Sequence, residues 1–311
     1  MVTSHDEAGT PLLNWGNVWF GFLFIVLDIF LSIILGVKIG GSLLSASVRC
    51  VLQLSLLGLV LQSVFNARNG WAVFGITVLL MCLGTFEVVI NKTKMRFTGM
   101  VPAIMASMII GTVPVSIIGG RFAMRNQPFW APEEYIPTIG MLCGNAISAI
   151  VVATNSVLRE LETKRENIEV FLAFGATRLE ACRPIAIEAL RLALLPTINA
   201  MSVVGLISIP GMMTGALLGG SSVDQAAKLQ MVIMFMITAA SALASITSTL
   251  WALTVTVDDE HRIRPDRIQT QQHSIWRAWD RLGNNLGSGI RSVLAKVLPP
   301  RINPFVEWSC R

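Results

Sequence analysis

Apolar residues in this chain do not alternate with polar ones. They come in seven long runs, near 15–37, 47–65, 71–90, 99–120, 136–157, 192–209 and 229–256, and most charges lie in the segments between or beyond them. A helix that crosses a bilayer needs roughly 20 mainly apolar residues, whereas a membrane β-barrel shows alternation along strands of about ten. The pattern therefore predicts an all-α integral membrane protein with about seven transmembrane helices. Pro102, Pro114 and Pro196 fall inside these runs, which membrane helices tolerate because neighbours take up the freed backbone groups. The sixth run is the shortest and leads into an apolar, glycine-rich stretch.

Composition narrows the class. Hydrophobic residues make up 53% of the 311 and charged residues 14%, against about 25% charged in soluble domains. A soluble enzyme, a disordered chain and a nucleic-acid binder are excluded on that basis. The basic residues also give an orientation. With the N-terminus outside, 20 Lys and Arg fall on the inner side, nine of them between Arg262 and Arg311. Only Arg68, Arg121, Arg125 and Lys228 fall on the outer side. Positive charge collects on the cytoplasmic side of membrane proteins, so the expected topology is N-out, C-in. Trp15, Trp19 and Trp71 suit interfacial anchors at the outer ends of the first and third spans. The organisation that follows is an outer segment 1–14, a transmembrane domain 15–257 and a basic inner tail 258–311, in a plasma or internal organelle membrane. The first fourteen residues lack a basic n-region, so the first span is not expected to be a cleaved signal. In the tail, SIWRAWDRL (274–282) and SVLAKVLPP (292–300) suit either an anionic membrane surface or a solvated tail.

Several chemistries are missing. No GxxxxGK[ST] loop is present to cradle ATP phosphates. His5, His261 and His273 all lie outside the spans, which leaves no intramembrane Ser–His pair, haem ligand or HExxH zinc site. The cysteines at 50, 82, 143, 182 and 310 show no paired spacing and read as small thiols.

The longest internal connection, 158–191, is LRELETKRENIEVFLAFGATRLEACRPIAIEALR. Charges up to Glu169 followed by Val170–Phe174 form an amphipathic helix, and Gly175 sits where a C′ glycine ends one. Thr177 with Glu180 is a capping-box pattern that starts another. Pro184 is expected to stop that second helix, leaving a short piece at about 177–183 before the chain re-enters the membrane. Such a protruding element suits either docking into another protein's groove or simply linking two spans.

The runs IPTIGMLCGNAI (136–147), ENIEVFLAFGAT (166–177), EALRLALLPTINAMSVVGLISIPGMMTGALLGG (188–220) and AAKLQMVIMFMI (226–237) resemble the FetB-type ABC transporter permease family. That family takes in a bacterial iron-export permease and plant aluminium-tolerance permeases. One departure is Leu229 before Gln230, where the family usually has tyrosine. The resemblance implies a homodimeric permease that binds no cofactor itself and works with a separate ABC ATPase carrying ATP and Mg. It implies export of a metal ion, iron first, with a sugar nucleotide as the alternative cargo. It also assigns 166–183 as the coupling element: Glu169 precedes Gly175 by the six positions of the EAAxxxG coupling loop, with Val170 and Phe171 in place of the alanines. Glu169, Phe171, Gly175, Ala176, Thr177 and Arg178 are the expected contact residues.

Polar residues inside the runs are the candidates for a translocation path. Asp28 and Glu87 are carboxylates at depth, costing about 2.5–3.5 kcal/mol on insertion scales. They suit cation or proton contacts, as in an ATPase-independent secondary transporter, or pairing with a basic residue. Asn145 and Asn199 suit interhelical hydrogen bonds or cargo contacts. Gly140, Gly144 and Ser148 form a small-residue stripe for close helix packing. The segment 210–220, PGMMTGALLGG, is expected to be an outer re-entrant turn or gate, with Met212 and Met213 as packing or soft-metal thioethers. Ser221 and Asp224 are expected to cap the final helix, with Lys228 one turn on.

Overall fold

The computed structural model describes residues 14–36, 39–67, 69–93, 95–125, 128, 130–257 and 268–269. Seven of the described helices are long and apolar enough to cross a membrane. They are α1 (Trp15–Ile34), α2 (Gly40–Ala67), α3 (Gly70–Phe86), α4 (Met100–Ile118), α5 (Pro132–Thr163), α7 (Arg178–Val203) and α9 (Val223–Thr256). Two shorter helices sit between spans, α6 (Arg165–Ala173) and α8 (Gly211–Leu218). Strands β1 (Arg96–Phe97) and β2 (Ile268–Gln269) pair antiparallel over two residues. The all-α membrane architecture expected from the apolar runs is thus present. The segments 1–13 and 258–311, apart from β2, lie outside the described residues, and with them the tail's amphipathic stretches.

The chain divides into two compact units, one holding α1 and α2 through Leu61 and the other running from Gln62 to Gln271. In the first, α1 and α2 close an apolar groove lined by Trp15, Val18, Trp19, Phe22, Val48 and Leu52. Ser32 of α1 accepts a hydrogen bond from the Ile39 amide, 3.1 Å, which fixes the turn into α2.

The second unit is built around α5 and α9, with α3, α4 and α7 packed against them. Small residues make this possible. Ala240, Ala244, Ser245, Ser248 and Ala252 are buried on α9, and Gly111 of α4 lies so close that a Cβ there would stand 2.6 Å from Ala244. Several buried hydroxyls satisfy themselves within their own helix: Thr77, Thr85, Ser107, Thr112 and Thr256 each donate to the carbonyl four residues earlier, 2.7–2.9 Å. Where no water can help, that bond is the cheapest partner available.

Three expectations are corrected. The helix begun by Thr177 does not stop at Pro184; it continues unbroken to Val203 as the sixth span. Pro184 stands on the exposed side near the charged end, so the carbonyl that loses its amide can reach water, while Ala181, Cys182, Ile185, Ala189 and Ala193 bury the other side. That burial outweighs the one bond lost, though proline in a helix interior costs about 3 kcal/mol. The span also ends at Val203, not 209, in a turn where Gly205 has φ +83°. Second, 210–220 is largely helical, with α8 entered at Pro210 and left through Gly219 and Gly220. Third, Ser222, not Ser221, caps α9, accepting the Gln225 amide at 3.4 Å; Asp224 and Lys228 pair at 2.6 Å as expected.

Most described basic residues of the second unit sort by end, while Arg191, paired with Glu188 at 3.6 Å, stands midway along α7. Lys92, Arg96, Arg159, Lys164, Arg165, Arg178 and Arg183 lie at the end holding the α5–α6–α7 connection, and Arg121, Arg125 and Lys228 at the other.

Candidate functional site

The α5–α6–α7 connection forms a hairpin that stands on the bundle. α5 breaks at Lys164, α6 follows, and α7 begins at Arg178. Two side chains pin α6 down: Ile168 and Leu172, 2% and 4% exposed, sit in the core cluster with Leu158, Leu161, Ala181 and Cys182. The tip is closed by local chemistry. The Ala176 amide donates to the Phe171 carbonyl at 3.1 Å and the Gly175 amide to Leu172 at 3.0 Å. With Gly175 at φ +89°, this is a Schellman stop. The capping box follows at once. Thr177 Oγ1 accepts the Glu180 amide at 3.4 Å, and the Glu180 carboxylate accepts the Thr177 amide at 2.9 Å and its hydroxyl at 2.7 Å. Arg165 and Glu169 pair at 2.7 Å, and Lys164 and Glu160 at 2.6 Å. Being exposed, such pairs contribute about 0.3–0.5 kcal/mol each and orient more than they stabilise.

This framework displays apolar side chains outward. Phe174 is 87% exposed, and Val170, Phe171 and Leu179 are exposed beside it. Glu169, Phe171, Gly175, Ala176, Thr177 and Arg178 therefore all fall on one hairpin. Burying large side chains of this kind on a partner contributes about 1.5–3 kcal/mol each. A fixed, apolar, charge-rimmed knob is suited to insertion into a groove.

Elsewhere, α5 leaves one side uncovered. Gly144, Asn145 and Ser148 are exposed there, with Gly140 half-buried. A Cβ at Gly140 or Gly144 would meet nothing within 4 Å, so no other described helix of the second unit packs on the stripe. Asn145 Nδ2 donates to the Met141 carbonyl at 2.9 Å, and Ser148 to Gly144 at 3.2 Å. At 1.5 Å per residue, Asn145 lies about 16 Å from Glu134 and about 21 Å from Arg159, near the middle of the uncharged stretch. A polar amide facing hydrocarbon unpartnered costs about 4–8 kcal/mol by transfer to alkane.

The other candidates are dispersed. Asp28 is exposed on α1, in the first unit. Glu87 is half-buried where α3 passes into a π-helical turn, Glu87–Lys92, a distortion frequent at functional sites. Asn199 is exposed on the last turns of α7. Met212 and Met213 are half-buried on α8, and Met212 packs on the cluster of Leu142, Ile233, Met236, Ile237 and Ala240. Among the described residues no three His, Cys, Asp or Glu gather as a metal site, and the four described cysteines are free thiols.

A family model described as "Uncharacterised protein family (UPF0014)" matches residues 15–256. The chain belongs to UPF0014. The match covers all seven long helices and stops where α9 ends. Among its relatives, the chain is 32% identical over 226 residues to "Protein ALUMINUM SENSITIVE 3" of Arabidopsis thaliana, covering 72% of this chain and 81% of that protein. It is 31% identical over 257 residues to "UPF0014 membrane protein STAR2" of Oryza sativa subsp. japonica, covering 80% and 88%. It is 29% identical over 198 residues to "Probable iron export permease protein FetB" of Escherichia coli, covering 64% and 74%. No solved structure matches. The chain is therefore a multi-pass integral membrane protein of the UPF0014 family, as the resemblance implied.

Sequence reasoning missed Phe174 and Leu179 as exposed tip residues. The signal was present, an apolar run ending in glycine where a surface helix should turn polar. It also missed the extent of α5's uncovered side, since periodicity does not tell which face of a membrane helix meets lipid.

Proposed function

We propose that this UPF0014 protein is the membrane-spanning permease subunit of a two-component ABC transporter. It works as a homodimer with a separate ATPase that carries ATP and Mg, and it exports a metal ion, iron being the leading cargo. The observation that carries the reading is the hairpin tip, a rigid apolar knob at the end of the bundle where basic residues collect. Basic residues mark the cytoplasmic face, which is where an ATPase meets its permease. In this topology the N-terminus is outside and the hairpin inside. The similarity to the bacterial "Probable iron export permease protein FetB" supports the cargo class.

Coupling then follows from mechanics. The ATPase pair closes on ATP, carries the seated Phe171–Leu179 tip with it, and α7 moves as the continuation of that tip. Asp28, Glu87, Asn145, Asn199, Met212 and Met213 are the groups proposed to meet the cargo or position those that do.

The test is reconstitution in vesicles with a candidate ABC ATPase. The permease alone is expected to hydrolyse no ATP, the ATPase to co-purify with it, and hydrolysis to rise with Fe(II) inside the compartment that the hairpin faces. Failure of every supplied ATPase to bind overturns the reading. Binding with stimulation by a nucleotide sugar and not by metal keeps the permease and replaces the cargo.

A further inference from the structure

The end of the second unit away from the hairpin buries an acceptor that accepts from nothing. Gln230 is 6% exposed on the packed side of α9, and its Oε1 is fully buried without a hydrogen-bond partner among the described residues. A buried hydroxyl can turn to a carbonyl of its own helix, as Thr112 does. A carboxamide oxygen has no such recourse, because the amides of a helix interior are already bonded. Methionines gather at this part of α9. Met236 is buried in the cluster of Leu142, Ile233, Ile237 and Ala240, and Met124, Met141, Met212 and Met234 pack on that cluster. They come from four places in the chain: the exit of the π-helical turn Gly119–Ala123, α5, α8 and α9. Gln230 and Met234 stand one turn apart on α9 and so share a side of it. A Cβ at Gly119 would overlap the Met236 thioether, so the bare backbone there makes room for the sulfur.

We propose that this end of the bundle binds a soft monovalent metal ion of the Cu(I) class, held by the Gln230 carbonyl oxygen and methionine thioethers. An amide oxygen and a thioether sulfur both present lone pairs and no proton, so a cation answers them together. The softness of the ion follows from the sulfur, which selects Cu(I) over harder ions. Its charge follows from the neutrality of Gln and Met. Neither offsets the charge of the ion, and the cost of burying an ion grows with the square of its charge. Asp224, the acid of the first turn of α9, is already paired with Lys228. The methionines of the main core differ: Met81, Met100 and Met108 are buried among apolar side chains, whereas Met124, Met141, Met212 and Met234 are half-buried, within reach of an entering ion. The site uses the second unit alone and needs neither an ATPase nor a second copy, so its failure leaves the permease reading untouched.

The test uses the full-length chain in lipid nanodiscs, its methionine methyl groups labelled with carbon-13, and Ag(I) as the probe for Cu(I). Each methyl resonance reports its own sulfur, so silver taken up by the five cysteines does not confuse the reading. Ag(I) is expected to shift at least two resonances among Met124, Met141, Met212, Met234 and Met236, and to leave Met81, Met100 and Met108 in place. Gln230→Leu removes a buried unpartnered amide, so it is expected to unfold at no lower temperature than wild type while weakening the silver response about tenfold or more. Leu at any methionine that shifts, a volume-conserving change, is expected to weaken the response of the others, because one ion joins them. Zn(II) in large excess is expected to leave the silver-shifted resonances where they are. Equal shifts in the core methionines, no shift at the outer set, or an unchanged response in folded Gln230→Leu overturns the site. Methionines that respond independently of one another overturn it as well, and displacement of silver by Zn(II) overturns the soft, monovalent assignment.

Discussion

Two connections in the second unit look alike in outline. The α5–α7 hairpin and the α7–α9 link each insert one short helix between spans, and each turns at a positive-φ glycine, Gly175 in the first and Gly205 and Gly220 in the second. Both expose large apolar side chains to a similar degree, Phe174 at 87% and Leu206 at 85%. What separates them is the other side of the short helix. α6 buries Ile168 and Leu172 in the main core, whereas α8 buries no residue fully. An exposed apolar side chain on a pinned frame is held in place and can be recognised. The same side chain on a loose one is a surface for lipid. Exposure alone does not distinguish the two; the buried partner does.

The largest effect that would sharpen this contrast comes from the pins. Leu172→Ala should cost the hairpin about 2–5 kcal/mol through the cavity it leaves. Amide exchange across 166–176 should then accelerate about thirtyfold or more. Met213→Ala on α8 should change exchange over 211–218 by less than about fivefold, because little is buried there; equal responses would break the distinction. Next is the glycine. Gly175→Val forces a β-branched residue into the left-handed region at a cost of about 1–2 kcal/mol. It should reduce capture of the ATPase at least tenfold in a pull-down with membrane insertion unchanged, while Gly220→Val bears the same backbone cost and leaves capture intact. Loss of capture in both would remove the hairpin's special status. Thr177→Ala should cost about 1 kcal/mol by deleting the cap, seen as roughly fivefold faster exchange in the first turn of α7. The smallest effect belongs to the other end. Asp224→Asn breaks the exposed pair with Lys228, about 0.3–0.5 kcal/mol, so thermal unfolding at physiological salt should hardly move.

How much of this was legible in the chain differs by level. The seven spans could be read because length and apolarity alone decide whether a helix can cross a bilayer. The hairpin tip could be read because Gly175, Thr177 and Glu180 act on backbone groups within four residues of themselves. Pro184 misled because its penalty is local, whereas Ala181, Ile185 and Ala189 repay it against α5 and α9, contacts with no signature in sequence. The glycines of 210–220 misled in the same direction, since glycine lowers helix propensity without forbidding a two-turn helix. The uncovered side of α5 was least legible of all. Gly140, Gly144 and Ser148 mark a place for close approach, but only the positions of the neighbouring helices leave it open.

The continuity of α7 has a mechanical consequence. Twenty-six residues make a rod of about 39 Å, with the tip of the hairpin at one end and Asn199 near the other. A tilt of about 10° around its midpoint swings each end by roughly 3 Å, in opposite directions. No loop lies between Thr177 and Val203 to absorb that displacement. Pro184 and Pro196 are the two points where the rod can bend, so a displacement at Thr177 reaches Asn199 to the extent that they stay straight.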